Sequence, residues 1–241
     1  NKGRALLYAK ALKLFIREVV SQKAPQLATE LYNSFEIHQL EPSYKPPVLT
    51  LDTVKQIFNA IEPLQGKAFF LLLAETGLRV GEVYHLSLDQ VDLDNRKITV
   101  MKTSSTKRSY ITFLHEATAK WLKTIYLPYR EEHIKKYEHR VSRLTNSDNW
   151  KLKLFPFELY DLKSAIKPAM KEVLGKEFRL YDLRSFWASH MLKQGVSPSI
   201  VNLLQGRVPP SQFKILEKHY FVISEEELRG YYERYAPRLL D

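Results

Sequence analysis

The stretch AFFLLLAETGLRVGEV (residues 68–83) joins an apolar run to an arginine through a glycine. The run is shorter than the roughly 20 apolar residues that cross a membrane, so it predicts a buried helix. A glycine directly after a helix permits the left-handed turn that ends it. Arg79 is therefore expected to begin a new element at a sharp corner.

A second arginine, Arg184, lies in LYDLRSFWASH (residues 180–190), which also has the pattern of a buried helix. A guanidinium cannot lose its charge, so each arginine needs either an acidic partner or an anion that arrives with a substrate. Arg79 has a candidate partner in Glu82, and Arg184 has one in Asp182. The alternative is that the planar guanidinium groups of both arginines donate hydrogen bonds to the oxygens of one phosphate.

The composition narrows the choice of partner. The chain has 241 residues, 44% of them apolar, and a formal net charge of +10, which favours nucleic acid as the partner. It contains no cysteine, which excludes disulfides, thiolate zinc sites and cysteine nucleophiles, and fits a reducing cytoplasm. No apolar run is long enough to predict a membrane span. Because the first residue is Asn1, we expect a part of a longer protein.

The pattern along the chain predicts a mainly α protein with one small antiparallel β-sheet. Residues 3–22 have helical spacing, a polar stretch follows, and three prolines within residues 41–48 predict a linker. Thr50 is a predicted N-cap, and a hairpin is predicted over residues 96–113, where apolar and polar residues alternate. The remaining predicted helices cover residues 51–61, 66–76, 115–139, 158–174, 181–194, 197–205 and 224–235.

Four motifs then occur in a fixed order: TGLRVGEV, YDLRSFWASHMLKQGVS, LLQGR and EKHYFVISEEELRGYYERY. Over residues 47–235 the chain resembles the tyrosine recombinase (phage-type integrase) family, with features of the integrases of archaeal viruses and plasmids. The resemblance implies the tyrosine recombinase catalytic fold over residues 47–241. Residues 1–46 are then expected to be the end of an N-terminal helical DNA-binding domain together with a linker.

The resemblance also assigns roles to individual residues. Arg79 and Arg184 match the two arginines that grip the scissile phosphate, and Tyr220 matches the nucleophile. Lys102 matches the lysine that protonates the leaving 5′ oxygen, with Lys107 as the competitor for that role. Other tyrosines of the last helix are rivals of Tyr220, but their spacing favours packing: Tyr231, Tyr232 and Tyr235.

Two positions depart from the family pattern. Tyr181 stands where the family most often has histidine or lysine, and a phenol with a pKa of about 10 is a poor base but a good hydrogen-bond donor. Arg207 occupies a position that is usually histidine or tryptophan and adds a third positive charge. Tyr181 is expected to position a phosphate oxygen, which leaves the proton acceptor for Tyr220 open. His219 is one candidate, whereas His190 is expected to form a hydrogen bond within its helix.

The function implied is site-specific DNA recombination through a 3′-phosphotyrosine intermediate. Neither metal nor ATP is expected, because fixed cations can stabilise the phosphate, the covalent intermediate conserves the bond energy, and the sequence has no carboxylate cluster of the two-metal kind. The histidines at 133 and 139 fit no familiar zinc motif.

The implied assembly is a homotetramer on double-stranded attachment sites in the host cytoplasm, with residues 221–241 either contacting the next protomer or folding back. The alternatives are a type IB topoisomerase-like nicking-closing enzyme and an inert DNA-binding module.

Overall fold

The structure is a computed structural model that describes residues 2–37, 44–101, 110–144, 149–207 and 223–240. The chain divides between Lys45 and Pro46 into two compact units. The mainly α fold with one small antiparallel sheet is confirmed. No helix in the described ranges is both long and apolar enough to cross a membrane.

The first unit is helical. Helix α1 (Lys2–Phe15) continues through a π-helical turn (Ile16–Val20) into the short α2 (Ser21–Lys23), and α3 (Pro25–Asn33) follows. The chain breaks at Ala24, with φ −145°, because a proline disfavours the helical conformation of the residue before it. The polar stretch after residue 22 thus contains a helix, α3, that the pattern did not predict.

The second unit contains ten helices within the described ranges: α4 (Leu51–Ala60), α5 (Leu64–Thr76), α6 (Val80–Tyr84), α7 (Glu116–Trp121), α8 (Leu127–Leu144), α9 (Asn149–Leu152), α10 (Leu159–Leu174), α11 (Tyr181–Lys193), α12 (Pro198–Leu204) and α13 (Glu225–Tyr235). A π-helical turn (Leu122–Tyr126) joins α7 to α8. As predicted, Thr50 caps α4 by accepting a hydrogen bond from the backbone N–H of Thr53 at 3.1 Å.

The sheet has the order β1 (Val91–Asp92), β2 (Lys97–Val100) and β3 (Tyr110–Phe113), all antiparallel. Strands β2 and β3 pair in register, with Val100 opposite Tyr110, and form the predicted hairpin. Strand β1, with only two residues, was not predicted. The sheet places Tyr110 at the start of β3.

Two hydrophobic clusters hold the second unit together. The larger surrounds α5, whose residues from Ala68 to Ala74 are almost fully buried, which confirms the predicted buried helix. The smaller joins α11, α12 and α13 to β3 around Trp187 and Tyr232. Helix α13 therefore packs on its own unit. Its cap is also as predicted, since Ser224 accepts from the N–H of Glu227 at 3.1 Å.

Candidate active site

The first side of the site is the corner after α5. Helix α5 ends at Gly77, whose φ of 65° lies in the left-handed region. A Cβ at this position would lie 2.7 Å from Cδ2 of Trp187 and 2.8 Å from Nε2 of Gln205, so there is no room for a side chain. Glycine is thus required both for the turn and for the close approach. Two residues later, Arg79 is the N-cap of α6.

Arg79 is held by Glu82 in the first turn of α6. The Glu82 carboxylate accepts from the Arg79 backbone N–H at 2.8 Å and from Arg79 Nη1 at 2.7 Å. It also accepts from the Tyr110 hydroxyl at 2.8 Å. The Glu82 side chain is 9% exposed, whereas that of Arg79 is 37% exposed. The expected Arg79–Glu82 pair therefore exists, yet the arginine still faces solvent.

Burial acts to raise the pKa of Glu82, but the hydrogen bonds from Arg79 and Tyr110 outweigh it and hold that pKa below its usual value. The carboxylate is consequently charged at neutral pH. Burial and the negative charge of Glu82 raise the pKa of Tyr110 well above its ordinary value, so the phenol keeps its proton and acts as a donor.

Arg184 forms the floor of the site and is only 1% exposed. Its Nη1 donates to the carbonyl of Gly77 at 2.8 Å, and its Nη2 donates to the carbonyl of Gln205 at 2.8 Å. Glu82 Oε2 lies 3.9 Å from Nη1. The alternative partner Asp182 accepts from the backbone N–H of Arg179. Arg184 is thus held mainly by neutral carbonyls rather than by a carboxylate of its own.

Burial lowers the pKa of Arg184, and the nearby positive charges of Arg79 and Arg207 lower it further, while Tyr110 and Glu82 act in the opposite direction. Even so, a guanidinium stays protonated at neutral pH. Three positive charges from separate segments therefore act on one another, and the Glu82 carboxylate lies close to two of them. The surplus of positive charge suits the site to an anion such as a phosphodiester.

Arg207 follows the end of α12. Gly206 adopts a left-handed φ of 60°, and the N–H of Arg207 donates to the carbonyl of Asn202 at 2.9 Å. A methyl group on Gly206 would overlap the ring of Tyr110, so this glycine brings the end of α12 against β3. The Arg207 side chain is exposed.

The structure thus brings together three of the six predicted site residues: Arg79, Arg184 and Arg207. Tyr181, at the start of α11 and 53% exposed, is one turn from Arg184. The other two, Lys102 and Tyr220, lie outside the described residues, as do Lys107, the competitor of Lys102, and His219, the candidate proton acceptor.

The tyrosines of α13 and the histidine of α11 make contacts within the fold. Tyr232 is fully buried and donates to the carbonyl of Glu75 at 3.1 Å, and burial raises its pKa far above the ordinary value, which excludes it as a nucleophile. Tyr231 stacks on Tyr235. His190 Nε2 lies 3.2 Å from Gln194 Nε2, within reach of the hydrogen bond expected at this helix. Among the described residues, no three His, Asp or Glu side chains are grouped to hold a metal ion.

The sequence analysis missed two residues of the site, Tyr110 and Gln205, and the capping role of a third. Glu82 was considered only as a partner of Arg79, although its spacing of three residues from the N-cap is that of a capping box. Tyr110 was assigned only to a strand, and Gln205 was not considered. For Tyr110 and Gln205 no local signal exists, because their partners lie 28 and 21 positions away along the chain.

The sequence is similar to a known protein family and to individual proteins of known activity. The model of the phage integrase family matches residues 47–208, a range that ends before Tyr220. The tyrosine recombinase XerA of Pyrococcus horikoshii is 29% identical over 186 residues, covering 73% of this chain and 58% of that protein. The chain therefore spans less than two thirds of this relative's length.

Two solved structures share the fold. The crystal structure of XerA recombinase has a TM-score of 0.51 at 23% identity and covers 99% of this chain and 77% of that one. A λ integrase dimer bound to a core site has a TM-score of 0.57 at 16% identity, covering 87% and 74%.

Proposed function

Because this chain belongs to the phage integrase family, we propose that it is part of a site-specific DNA recombinase that cuts and rejoins DNA through a 3′-phosphotyrosine intermediate. The observation that carries the proposal is that the guanidinium groups of Arg79 and Arg184 lie 2.7 and 3.9 Å from the Glu82 carboxylate, while the charge of Arg207 acts on Arg184. Hydrogen bonds join the segments around Gly77, Arg184 and Gln205, which are far apart in the chain, and this supports one cationic site.

In this proposal the three arginines bind the non-bridging oxygens of the scissile phosphate. The carbonyls of Gly77 and Gln205 each take one N–H group of Arg184, and in this proposal other N–H groups of the same guanidinium donate to the phosphate. Negative charge grows on those oxygens as the nucleophile approaches, and donors already fixed in a poorly solvated site stabilise it without reorganisation. Tyr181 is assigned a supporting hydrogen bond to one of these oxygens.

Tyr220 is assigned the role of nucleophile. Its hydroxyl oxygen forms a bond to phosphorus while the bond from phosphorus to the 5′ oxygen breaks. Lys102, or else Lys107, gives the leaving 5′ oxygen a proton, and the proton of Tyr220 passes to an acceptor for which His219 is a candidate. A 5′ hydroxyl of another strand then attacks the phosphotyrosine and releases Tyr220, so the energy of the phosphodiester is conserved and no ATP is needed.

The wider context is also part of the proposal. Residues 1–46 belong to a DNA-binding domain that precedes the catalytic domain of residues 47–241, a boundary supported by the division after Lys45 and by the family match from residue 47. The partner is a double-stranded attachment site; λ integrase and XerH are relatives by fold whose structures were solved bound to DNA. Four protomers would assemble on two such sites in the host cytoplasm, and the origin would be an archaeal virus or plasmid.

The proposal is tested with a library of nicked duplexes whose sequence around the nick is randomised. After cleavage, the short fragment between the scissile phosphate and the nick, which carries the 5′ hydroxyl, dissociates. Because that hydroxyl is lost, the strand cannot be rejoined and the covalent complex is trapped. We expect a protein–DNA adduct on denaturing gels in the presence of EDTA, absent in Tyr220→Phe, and the sequences recovered from it identify the site.

Absence of any adduct, with DNA binding retained, would refute recombination and leave the inert DNA-binding module. Adducts without sequence preference, together with relaxation of a supercoiled plasmid, would instead identify a nicking-closing enzyme.

A further inference from the structure

Gln205 lies where the three segments of the site meet. It is fully buried at the end of α12. Its side-chain Nε2 lies 3.0 Å from the Arg184 carbonyl and 3.4 Å from the Gly77 carbonyl, and donates to both. In return its own carbonyl accepts from Arg184 Nη2. Gln205 and Arg184 thus hold each other by reciprocal side-chain to main-chain hydrogen bonds, and both bind Gly77.

This junction fixes the segments that carry the arginines. Gly77 precedes Arg79 by two residues, and Gln205 precedes Arg207 by two residues. A displacement of any one segment would therefore break hydrogen bonds to the other two. The packing agrees, since Gln205 Nε2 and the Trp187 ring fill the space next to Gly77 where a side chain would lie.

The junction holds positive charges that repel one another. The charges of Arg79 and Arg207 both act against the protonated form of Arg184. A carboxylate at the junction would relieve the repulsion, but it would also occupy the donors and cancel the charge that a phosphate needs. The two carbonyls that accept from the guanidinium are neutral, as is the Gln205 amide that donates to one of them, so the guanidinium is oriented without loss of its charge.

One polar atom shows that Gln205 is not optimised for stability alone. Its Oε1 is buried and has no hydrogen-bond partner in the described part of the chain. An apolar side chain of the same length would avoid that unsatisfied acceptor. The carbonyls it serves would keep other donors, since Gly77 still accepts from Arg184 and the Arg184 carbonyl lies inside α11.

We propose that Gln205 is a positioning residue that orients Arg184 for the scissile phosphate. The inference rests on the proposed recombinase chemistry and adds to it a residue that acts through Arg184. Gln205→Met should therefore fold normally but cleave DNA slowly. Gln205→Glu should cleave more slowly still, because its carboxylate would face the carbonyl oxygens of Gly77 and Arg184 that accept from the amide in the wild type.

The test measures adduct formation on a nicked duplex recovered from the randomised library. Gln205→Met is expected to lower the rate roughly 10- to 100-fold, the scale of a misplaced catalytic group. The matched control is Gln194→Met, the same exchange at the exposed end of α11, which should cleave like the wild type. Thermal unfolding confirms that each variant is folded.

A second substrate separates positioning from a general structural defect. It carries a neutral methylphosphonate at the scissile position, which removes one charged non-bridging oxygen and with it much of the need for Arg184. On the methylphosphonate substrate, the rate of adduct formation by Gln205→Met should be only a few-fold below that of the wild type. The same is expected of Arg184→Lys. Equal deficits on both substrates, or wild-type rates on the phosphate, would overturn the proposal.

A readout without catalysis uses the ¹⁵N–¹H signals of arginine guanidinium groups, with Arg184 assigned through Arg184→Lys. Its Nη signals should be resolved in the wild type and averaged in Gln205→Met. Unchanged signals in Gln205→Met would contradict the proposal even if the wild-type protein formed no adduct. Absence of an adduct in the wild type would count against the recombinase function itself.

Discussion

At the scale of single residues, Glu82 shows that two roles regarded as alternatives are compatible. The sequence allowed Arg79 either a carboxylate partner or a phosphate. The structure shows that Nη1 of Arg79 pairs with Glu82 while 37% of the side chain stays exposed. The carboxylate also caps α6 and accepts from Tyr110. Glu82 therefore orients the Arg79 side chain and still leaves part of it exposed.

Tyr110→Phe tests the contribution of this carboxylate network. The substitution removes a 2.8 Å hydrogen bond to a largely buried charge and should lower the free energy of unfolding by about 1–2 kcal/mol at pH 7. Urea denaturation measures the loss. Because hydrogen bonds hold the folded pKa of Glu82 below 4.5, this stability is present above pH 4.5 and is lost as the pH falls through the folded pKa.

The control is Tyr160→Phe, since that side chain is 76% exposed and the substitution should change stability by less than about 0.5 kcal/mol. Equal stabilities of Tyr110→Phe and Tyr160→Phe would contradict the network.

At the scale of elements, local signals predicted most of what the structure contains. Thr50, Ser224 and Gly77 mark helix ends by hydrogen bonding or by conformational freedom, and each occupies the predicted place. The two-residue β1 gives no periodic signal and was missed. The junction at Gln205 was also missed, because its partner Gly77 lies 128 positions away and nothing in LLQGR points to it.

Two glycines with nearly the same backbone conformation allow a matched test of how α12 meets β3. Gly175→Ala, at φ 68° with open space around it, should cost only the left-handed strain of about 1–2 kcal/mol. Gly206→Ala, at φ 60°, adds an overlap with the Tyr110 ring that should cost about 1–3 kcal/mol more.

Chemical denaturation of both variants measures the difference. Gly206→Ala should also slow adduct formation, since it displaces the end of α12 next to Arg207. Equal losses of stability in the two variants would show that α12 and β3 do not meet as described.

At the scale of the whole molecule, stability should depend on two buried titratable groups with opposite effects. Burial raises the pKa of Glu75 from 4.5 to about 7, although hydrogen bonds from Leu239 and Thr118 act against it. Burial lowers the pKa of His115 from 6.5 to about 4, and its Nε2 lies 3.2 Å from the carbonyl of Pro237. Both groups thus contact the segment that follows α13.

The signs differ. Between pH 4.5 and 7 the folded state holds a proton on Glu75 that the unfolded state has lost, so stability falls as the pH rises. Between pH 4 and 6.5 the unfolded state holds a proton on His115 that the folded state lacks, so stability rises with pH. Each effect is on the order of 3 kcal/mol, so they largely cancel in the wild type.

Single substitutions should expose each effect in urea denaturation from pH 4 to 7.5. Relative to the wild type, Glu75→Gln should gain stability as the pH rises, and His115→Gln should lose it. Parallel pH profiles for the wild type and both variants would contradict the assignment.

At this scale, composition and motif order by themselves indicate a nucleic-acid partner and the family. They could not show how the arginines are oriented, because that depends on main-chain carbonyls brought together by tertiary packing. The net charge of +10 says only that an acidic partner is favoured. The structure adds how the Arg184 guanidinium is oriented, by the carbonyls of Gly77 and Gln205.

The most direct test of this account is the identity of the atom joined to DNA. The adduct formed in EDTA on the nicked duplex is digested with protease and nuclease, and the linked peptide is sequenced by mass spectrometry. The account predicts a 3′-phosphate ester on Tyr220. A link to Tyr231 or Tyr235, a 5′-phosphate linkage, or an adduct that persists in Tyr220→Phe would contradict it.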